Sequence, residues 1–376
     1  MIKEYCFTEE WLDSFRKQKD YKRIDKIILE KMIYALHLLE QLKSNGLNFI
    51  FKGGTSLVLL LEKDNRFSID IDIICKTGRE ELETILQKVV EASNFKSYDL
   101  DEHRSYQPGV PKAHYKFSFD TKMQGSGTIL LDVLTEDSIY PALIEKPIAT
   151  KWIETDKQLT VSLPSIDSIT GDKLTTFAPN TIGIPYFKGK DKQPFSMEIC
   201  KQLFDLSKLF EQIQDMETVA ASFIAFAKQE ITYRKNGNSE VELDPIAALN
   251  DTIETCLIIA KRGGGSDDEK RKFAELQKGI RAFGTGFLMR GNFRIDDAIP
   301  ASARVAYLAA KLLMNDLTPI EYYNGQDVKG LNIEDPEWNF LNRLKRQPDK
   351  SSFYYWYHTV RLLSGKTKSV RAPKEI

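Results

Sequence analysis

The sequence predicts a mixed fold, α+β or α/β, with a small mixed sheet among helices and a mostly helical part behind it. Three observations predict it. Apolar residues recur at helical spacing over long stretches, and short period-2 runs such as Ile69-Asp70-Ile71-Asp72-Ile73 interrupt them. After about residue 215 only the helical period remains. The expected organisation is one domain over 1–215 and a helical C-terminal domain over 216–376.

The elements follow in order. Thr8 is placed to cap a short helix over 11–15, with Glu9 and Glu10 in its first turn. Ile24, Ile27, Ile28, Met32, Leu36, Leu39 and Leu42 trace a helix over 24–43, and Asn45-Gly46 ends it. A brief buried strand is expected over 49–51. Gly53-Gly54 turns the chain, and a second helix starts at Thr55. The alternation over 69–74 predicts a strand and 79–92 a helix. Tyr115, Phe117 and Phe119 mark another strand, and 128–134 a further one beside 69–74. In the C-terminal part, helices are expected over 219–228, 245–260, 268–283, 302–314 and 353–363. The glycine-rich segment 261–272 reads as a solvated loop, and the basic tail 366–376 as a frayed end.

Bulk composition narrows the function classes. The chain has 376 residues, 42% hydrophobic and 28% charged, ample for a globular core. Its net charge of -1 gives no global basic field that would advertise nucleic acid. Cys6, Cys75, Cys200 and Cys256 are far apart and form neither a disulfide framework nor a zinc pattern, so they read as reduced thiols. No signal core or membrane-length apolar run occurs, and the expected location is the cytoplasm. The histidines His37, His103, His114 and His358 lack the spacing of paired metal ligands.

The chemistry concentrates between Lys52 and Asp132. Gly53 and Gly54 carry no Cβ, so their N–H groups can approach a phosphate, and Thr55 and Ser56 open a helix whose N-terminus favours an anion. The order of residues excludes a P-loop, because Lys52 precedes the glycines. Asp70 and Asp72 stand two residues apart in a strand pattern and so point the same way. Strands disfavour Asp, and two carboxylates on one face repel unless a cation lies between them. Asp132, in the apolar run over 128–134, completes a three-carboxylate set if its strand lies beside that of Asp70. The bland alternatives are an exposed strand face for Asp70 and Asp72, an ordinary strand–helix turn for the glycines, and a turn cap for Asp132.

These residues carry a family resemblance. Lys52-Gly53-Gly54-Thr55-Ser56-Leu57, with Arg66-Phe67-Ser68-Ile69-Asp70-Ile71-Asp72, resembles the AbiEii nucleotidyltransferase toxins, the type IV abortive-infection toxins of DNA polymerase β-like fold. Asp172-Lys173-Leu174 and Lys201-Gln202-Leu203-Phe204-Asp205-Leu206 resemble two later blocks of that family, in order. The second departs from it, with Gln202-Leu203-Phe204 where an Arg-Asp pair is usual. The resemblance implies catalytic roles for Ser68, Asp70, Lys173 and Asp205. Read from the residues alone, Lys173 is equally a solvated lysine, and Asp205 a helix-surface carboxylate paired with Lys201 or Lys208.

The expected reaction is transfer of a nucleoside monophosphate from an NTP to an acceptor, with release of pyrophosphate. Asp70, Asp72 and Asp132 would hold Mg2+ or Mn2+, with Asp132 alternatively taking the proton. Lys52, Gly53, Gly54, Thr55, Ser56 and Arg66 would bind the nucleotide phosphates. The resemblance implies tRNA as acceptor and an antitoxin as restraint, with direct contact between the two proteins left open. A protein or small-molecule acceptor, and an NTP-binding module without turnover, are the alternatives. The aromatic run 353–358, flanked by Arg343, Lys345, Arg346 and Arg361, reads as a packed helix face more readily than a base-stacking platform.

Overall fold

The computed structural model describes residues 1–61, 66–105, 111–123, 125–189, 191–236 and 243–365. The tail 366–376 lies outside the described residues. The chain divides into two compact units: Met1–Ser165 with Gly284–Asn292, and Ile166–Phe283 with Phe293–Ile376. The break expected near residue 215 falls inside the second unit, between two of its helices.

The first unit holds a seven-stranded mixed sheet. Its strands are β1 (Ile50–Lys52), β2 (Ile71–Ile74), β3 (Phe95–Leu100), β4 (Lys112–Asp120), β5 (Ser126–Leu134), β6 (Leu143–Pro147) and β7 (Thr160–Pro164). Their order is β3-β4-β5-β2-β1-β7-β6. β5 pairs parallel with β2, as does β7 with β1, and the remaining pairs are antiparallel. Its helices are α1 (Glu9–Arg16), α2 (Lys26–Ser44), α3 (Gly53–Leu60) and α4 (Arg79–Glu91). Thr8 accepts from the Trp11 amide at the start of α1, and Asp25 accepts from Ile27 and Ile28 at the start of α2.

The period-2 pattern decides which face of the sheet is covered. Phe51, Ile71, Ile73, Leu131, Val133, Tyr115 and Phe117 share one face and are buried. Helix α2 closes that side, with Tyr34 stacked on Phe119 at 3.7 Å between ring centroids. The intervening residues, among them Lys52, Asp72, His114 and Asp132, lie on the opposite face and are half-buried. That alternation is the signature of a sheet with one face packed and one open.

The second unit is helical, with a two-stranded hairpin of β8 (Phe187–Lys188) and β9 (Gln193–Pro194). It contains α5 (Ile166–Thr176), α6 (Ser196–Phe210), α7 (Met216–Asn236), α8 (Pro245–Lys261), most of α9 (Asp267–Gly286), α10 (Ile295–Leu313) and α11 (Ser351–Gly365). Helix α5 packs on α6 and α7, and α10 on α6, α8 and α11. These contacts explain why α5 and α6 group with the C-terminal helices. In α11, Phe353, Tyr354, Tyr355 and Trp356 are buried, so the aromatic run is a packed face. Among the described residues, no helix is long and apolar enough to cross a membrane. All four cysteines are free and buried, and burial pushes the Cys200 and Cys256 thiols up, away from the reactive thiolate.

Candidate active site

The register of the sheet builds the site. Lys52 on β1 pairs with Asp72 on β2, Asp72 with Asp132 on β5, and Asp132 with His114 on β4. The result is a row of four side chains across four strands, in the order base, acid, acid, imidazole. Two carboxylates directly opposite each other destabilise a sheet. Here each has a nitrogen-bearing neighbour on its outer side. His114 Nδ1 lies 2.6 Å from Asp132 Oδ1, with the two side chains 12% and 31% exposed. That separation is a hydrogen bond, in which the imidazole donates when Nδ1 carries its hydrogen.

The glycine turn abuts this row. Gly53 has φ +76°, a left-handed backbone that an L side chain adopts only with strain. A Cβ placed there would lie 2.7 Å from Asp72 Cγ, so the Asp72 carboxylate occupies the space that a larger residue would fill. A Cβ at Gly54 would lie 2.5 Å from Arg66 Nη2 and 3.0 Å from Ser68 Oγ. The two glycines therefore let three predicted site residues close in on the start of α3. Thr55 and Ser56 are fully buried; Thr55 Oγ1 donates to the Asp70 carbonyl and Ser56 Oγ to the Gly53 carbonyl. Their hydroxyls are thus engaged internally, and the accessible backbone of the turn is that of Gly53 and Gly54.

Asp70 sits one residue before β2 and is exposed, so the expected strand over 69–74 begins at Ile71. Arg66 is buried and its Nη1 donates to the Phe67 carbonyl at 3.1 Å. The segment around it is pinned by the late return of the chain into this unit. Arg66 forms a bridge with Leu288, and the Phe67 amide donates to the Phe287 carbonyl at 2.7 Å. Lys52 Nζ lies 5.5 Å from the Tyr140 ring.

In the second unit, Lys173 on α5 and Asp205 on α6 face each other. Their Nζ and Oδ2 are 2.8 Å apart, with side chains 6% and 0% exposed. Lys173 also donates to Gln202 Oε1 at 3.1 Å. Asp205 is therefore no surface carboxylate, and Lys173 no solvated lysine. Gln202, at the departure from the family block, serves as a second acceptor for the lysine.

Asp72 and Asp132, with Asp70 at the strand start, present hard carboxylate oxygens of the kind Mg2+ and Mn2+ take. Among the described residues no group of three His, Cys, Asp or Glu side chains is assembled as a metal cage. Magnesium needs none, because it keeps waters and substrate phosphates and uses one or two carboxylates. The donor set fits a divalent ion on those terms.

The family model described as "Nucleotidyl transferase AbiEii toxin, Type IV TA system" matches residues 37–260, more than half of the chain. The chain belongs to the AbiEii nucleotidyltransferase toxin family. It is a transferase of nucleotidyl groups, from a family of toxin–antitoxin toxins. Among solved structures, one of a candidate nucleotidyltransferase from H. pylori is similar over 66% of this chain and 95% of that one. The two are 16% identical, with a TM-score of 0.32. No curated protein matches the sequence significantly.

One residue of this AbiEii site escaped sequence reasoning. His114 lies 18 positions from Asp132 and shows no ligand spacing, yet the hairpin of β4 and β5 sets it opposite that aspartate. The usable signal was the hairpin register, since Tyr115, Phe117 and Phe119 fix the buried face and put His114 on the open one.

Proposed function

We propose that this AbiEii protein transfers a nucleoside monophosphate from an NTP to tRNA, with a divalent ion, magnesium or manganese, held by Asp70 and Asp72, and with Asp132 open to a second ion. The observation that carries the reading is the cross-strand row of Lys52, Asp72, Asp132 and His114, set against Gly53 and Gly54. An acceptor hydroxyl oxygen attacks the α-phosphorus, the bond to the β-phosphate's bridging oxygen breaks, and pyrophosphate leaves. The bound ion would neutralise phosphate oxygens as charge develops on them. The chain's own groups bind and orient. Backbone N–H groups at the start of α3, with Arg66 and Ser68, hold the phosphates. Lys52 adds positive charge at the end of β1. Asp132 takes the hydroxyl proton when it is not engaged with the ion, and His114 keeps its carboxyl oriented. Lys173 and Asp205 act in the same reaction, a role taken from the family block they match. A cognate antitoxin restrains the enzyme.

Two quantities test this together: pyrophosphate release, and protection of the protein from heat by NTP. The proposal expects pyrophosphate only when a divalent ion, NTP and tRNA are all present. Protection by NTP without any pyrophosphate would make the protein a binding module. Pyrophosphate that forms equally well without tRNA would point to another acceptor.

A further inference from the structure

The net charge of -1 hides a strong local asymmetry. Between Arg16 and Arg23, five of eight residues are Lys or Arg and one, Asp20, is acidic. Arg16, Lys17, Lys19, Lys22 and Arg23 are all exposed, on the end of α1, the 3-10 turn Lys19–Tyr21 and the approach to α2. Asp13 and Glu9 are engaged with Lys26, at 2.8 and 3.2 Å, and Asp25 caps α2.

Two cations from distant sequence join this surface. Arg290 lies 3.6 Å from Asp20. Lys151 Nζ lies 4.3 Å from the Tyr21 ring centroid and 4.7 Å from that of Trp152, and donates to the Tyr21 hydroxyl. The surface is also coupled to the nucleotidyl centre within the first unit. Tyr21 packs edge-on against Trp152 at 5.2 Å, and Trp152 contacts Phe67 at 5.5 Å. Phe67 stands between Arg66 and Ser68, the residues bordering Gly54. Arg290 is two residues from Leu288, which bridges Arg66. Tyr21, Trp152 and Phe67 therefore link the basic surface to the segment that borders the glycine turn.

We propose that this surface docks the sugar–phosphate backbone of an RNA acceptor beside the nucleotidyl centre, an inference that rests on the reading of the acceptor as RNA. Clustered Lys and Arg neutralise backbone phosphates without reading sequence. A membrane is the poorer fit, because Trp152 is 1% exposed and the exposed Ile27 beside the run is too little apolar surface to anchor it. An acidic protein would not account for the coupling through Phe67 to the reacting phosphates.

The test compares the wild-type protein, the double variant Lys22→Glu/Arg23→Glu, and a control, Lys228→Glu/Lys329→Glu, whose exposed lysines lie in the second unit. Each is measured for label transfer from NTP to total tRNA and for tRNA binding across a salt series. The patch variant should raise the tRNA KM by about tenfold or more at unchanged kcat. It should also flatten the plot of log affinity against log salt by about two units, one per lost phosphate contact. The control should match the wild type. Wild-type KM and salt slope in the patch variant, or an equal shift in the control, overturns the docking surface while leaving RNA as acceptor. A wild-type protein that neither binds nor labels tRNA overturns the RNA reading and the docking surface with it.

Discussion

Gly53 must be glycine for two reasons, its positive φ and the Asp72 carboxylate lying where a Cβ would go. Gly53→Ala should therefore lose stability, by about 1–2 kcal/mol for the left-handed backbone, and lose transfer as Asp72 is displaced. Thermal melts read the first effect and label transfer the second; a variant with wild-type activity would remove Gly53 from the site. Gly54 faces the flexible end of Arg66, so an added methyl there should weaken NTP binding with less effect on folding. His114 makes a different prediction. It holds Asp132 from the side, so His114→Ala should raise the magnesium concentration for half-maximal rate by about 10–100-fold. An unchanged magnesium requirement would reduce the histidine to a structural neighbour. The sequence displays Asp72 plainly, because a carboxylate in an apolar alternation has few structural uses. It conceals His114, because register between strands depends on pairing that no local pattern records.

Among the elements, α5 and α6 carry the Lys173–Asp205 pair, and its burial makes single substitutions ambiguous. Removing one partner of a buried ion pair costs roughly 3–5 kcal/mol. Lys173→Met or Asp205→Leu alone should destabilise the protein on that scale, and either loss of activity could then be loss of fold. The double variant resolves this: it should regain most of the stability in urea melts and remain inactive. A stable and active double variant would make the pair purely structural. Helix α11 gives a pH signature. Burial lowers the pKa of His358 from its ordinary 6.5, Glu321 opposes the shift, Arg361 reinforces it, and the rings of Tyr307 and Tyr354 pack against the imidazole. The unfolded chain therefore takes up the proton first as pH falls. The stability is present above about pH 6.5 and is lost as pH drops toward the folded pKa. His358→Phe should flatten that acid loss in melts, and an unaltered acid slope would contradict the assignment. The helical period marks α2, α4, α8 and α11 clearly in the sequence. Strands β6 and β7, and the return of 284–292 to the sheet unit, leave no comparable trace, since Leu288 and Phe287 join that unit by backbone pairing, which no side-chain pattern records.

At the scale of the molecule, a net charge near zero coexists with a concentrated basic surface, so the total is a poor guide to what the protein binds. The division into units was likewise obscured, because α5 and α6 continue the family blocks in sequence while their packing partners are C-terminal helices. The family blocks themselves were legible because phosphate and metal chemistry restricts residue type more tightly than core packing does. Asp70, just before β2, and Asp72, within it, are proposed to support nucleotidyl transfer to RNA. The most direct measurement is incubation with magnesium, each α-labelled NTP in turn and total tRNA, beside an Asp70→Ala variant. The prediction is label on tRNA from the wild type, and at least about a hundredfold less from a variant that melts at the wild-type temperature. Label transferred at the wild-type rate by Asp70→Ala would contradict the claim.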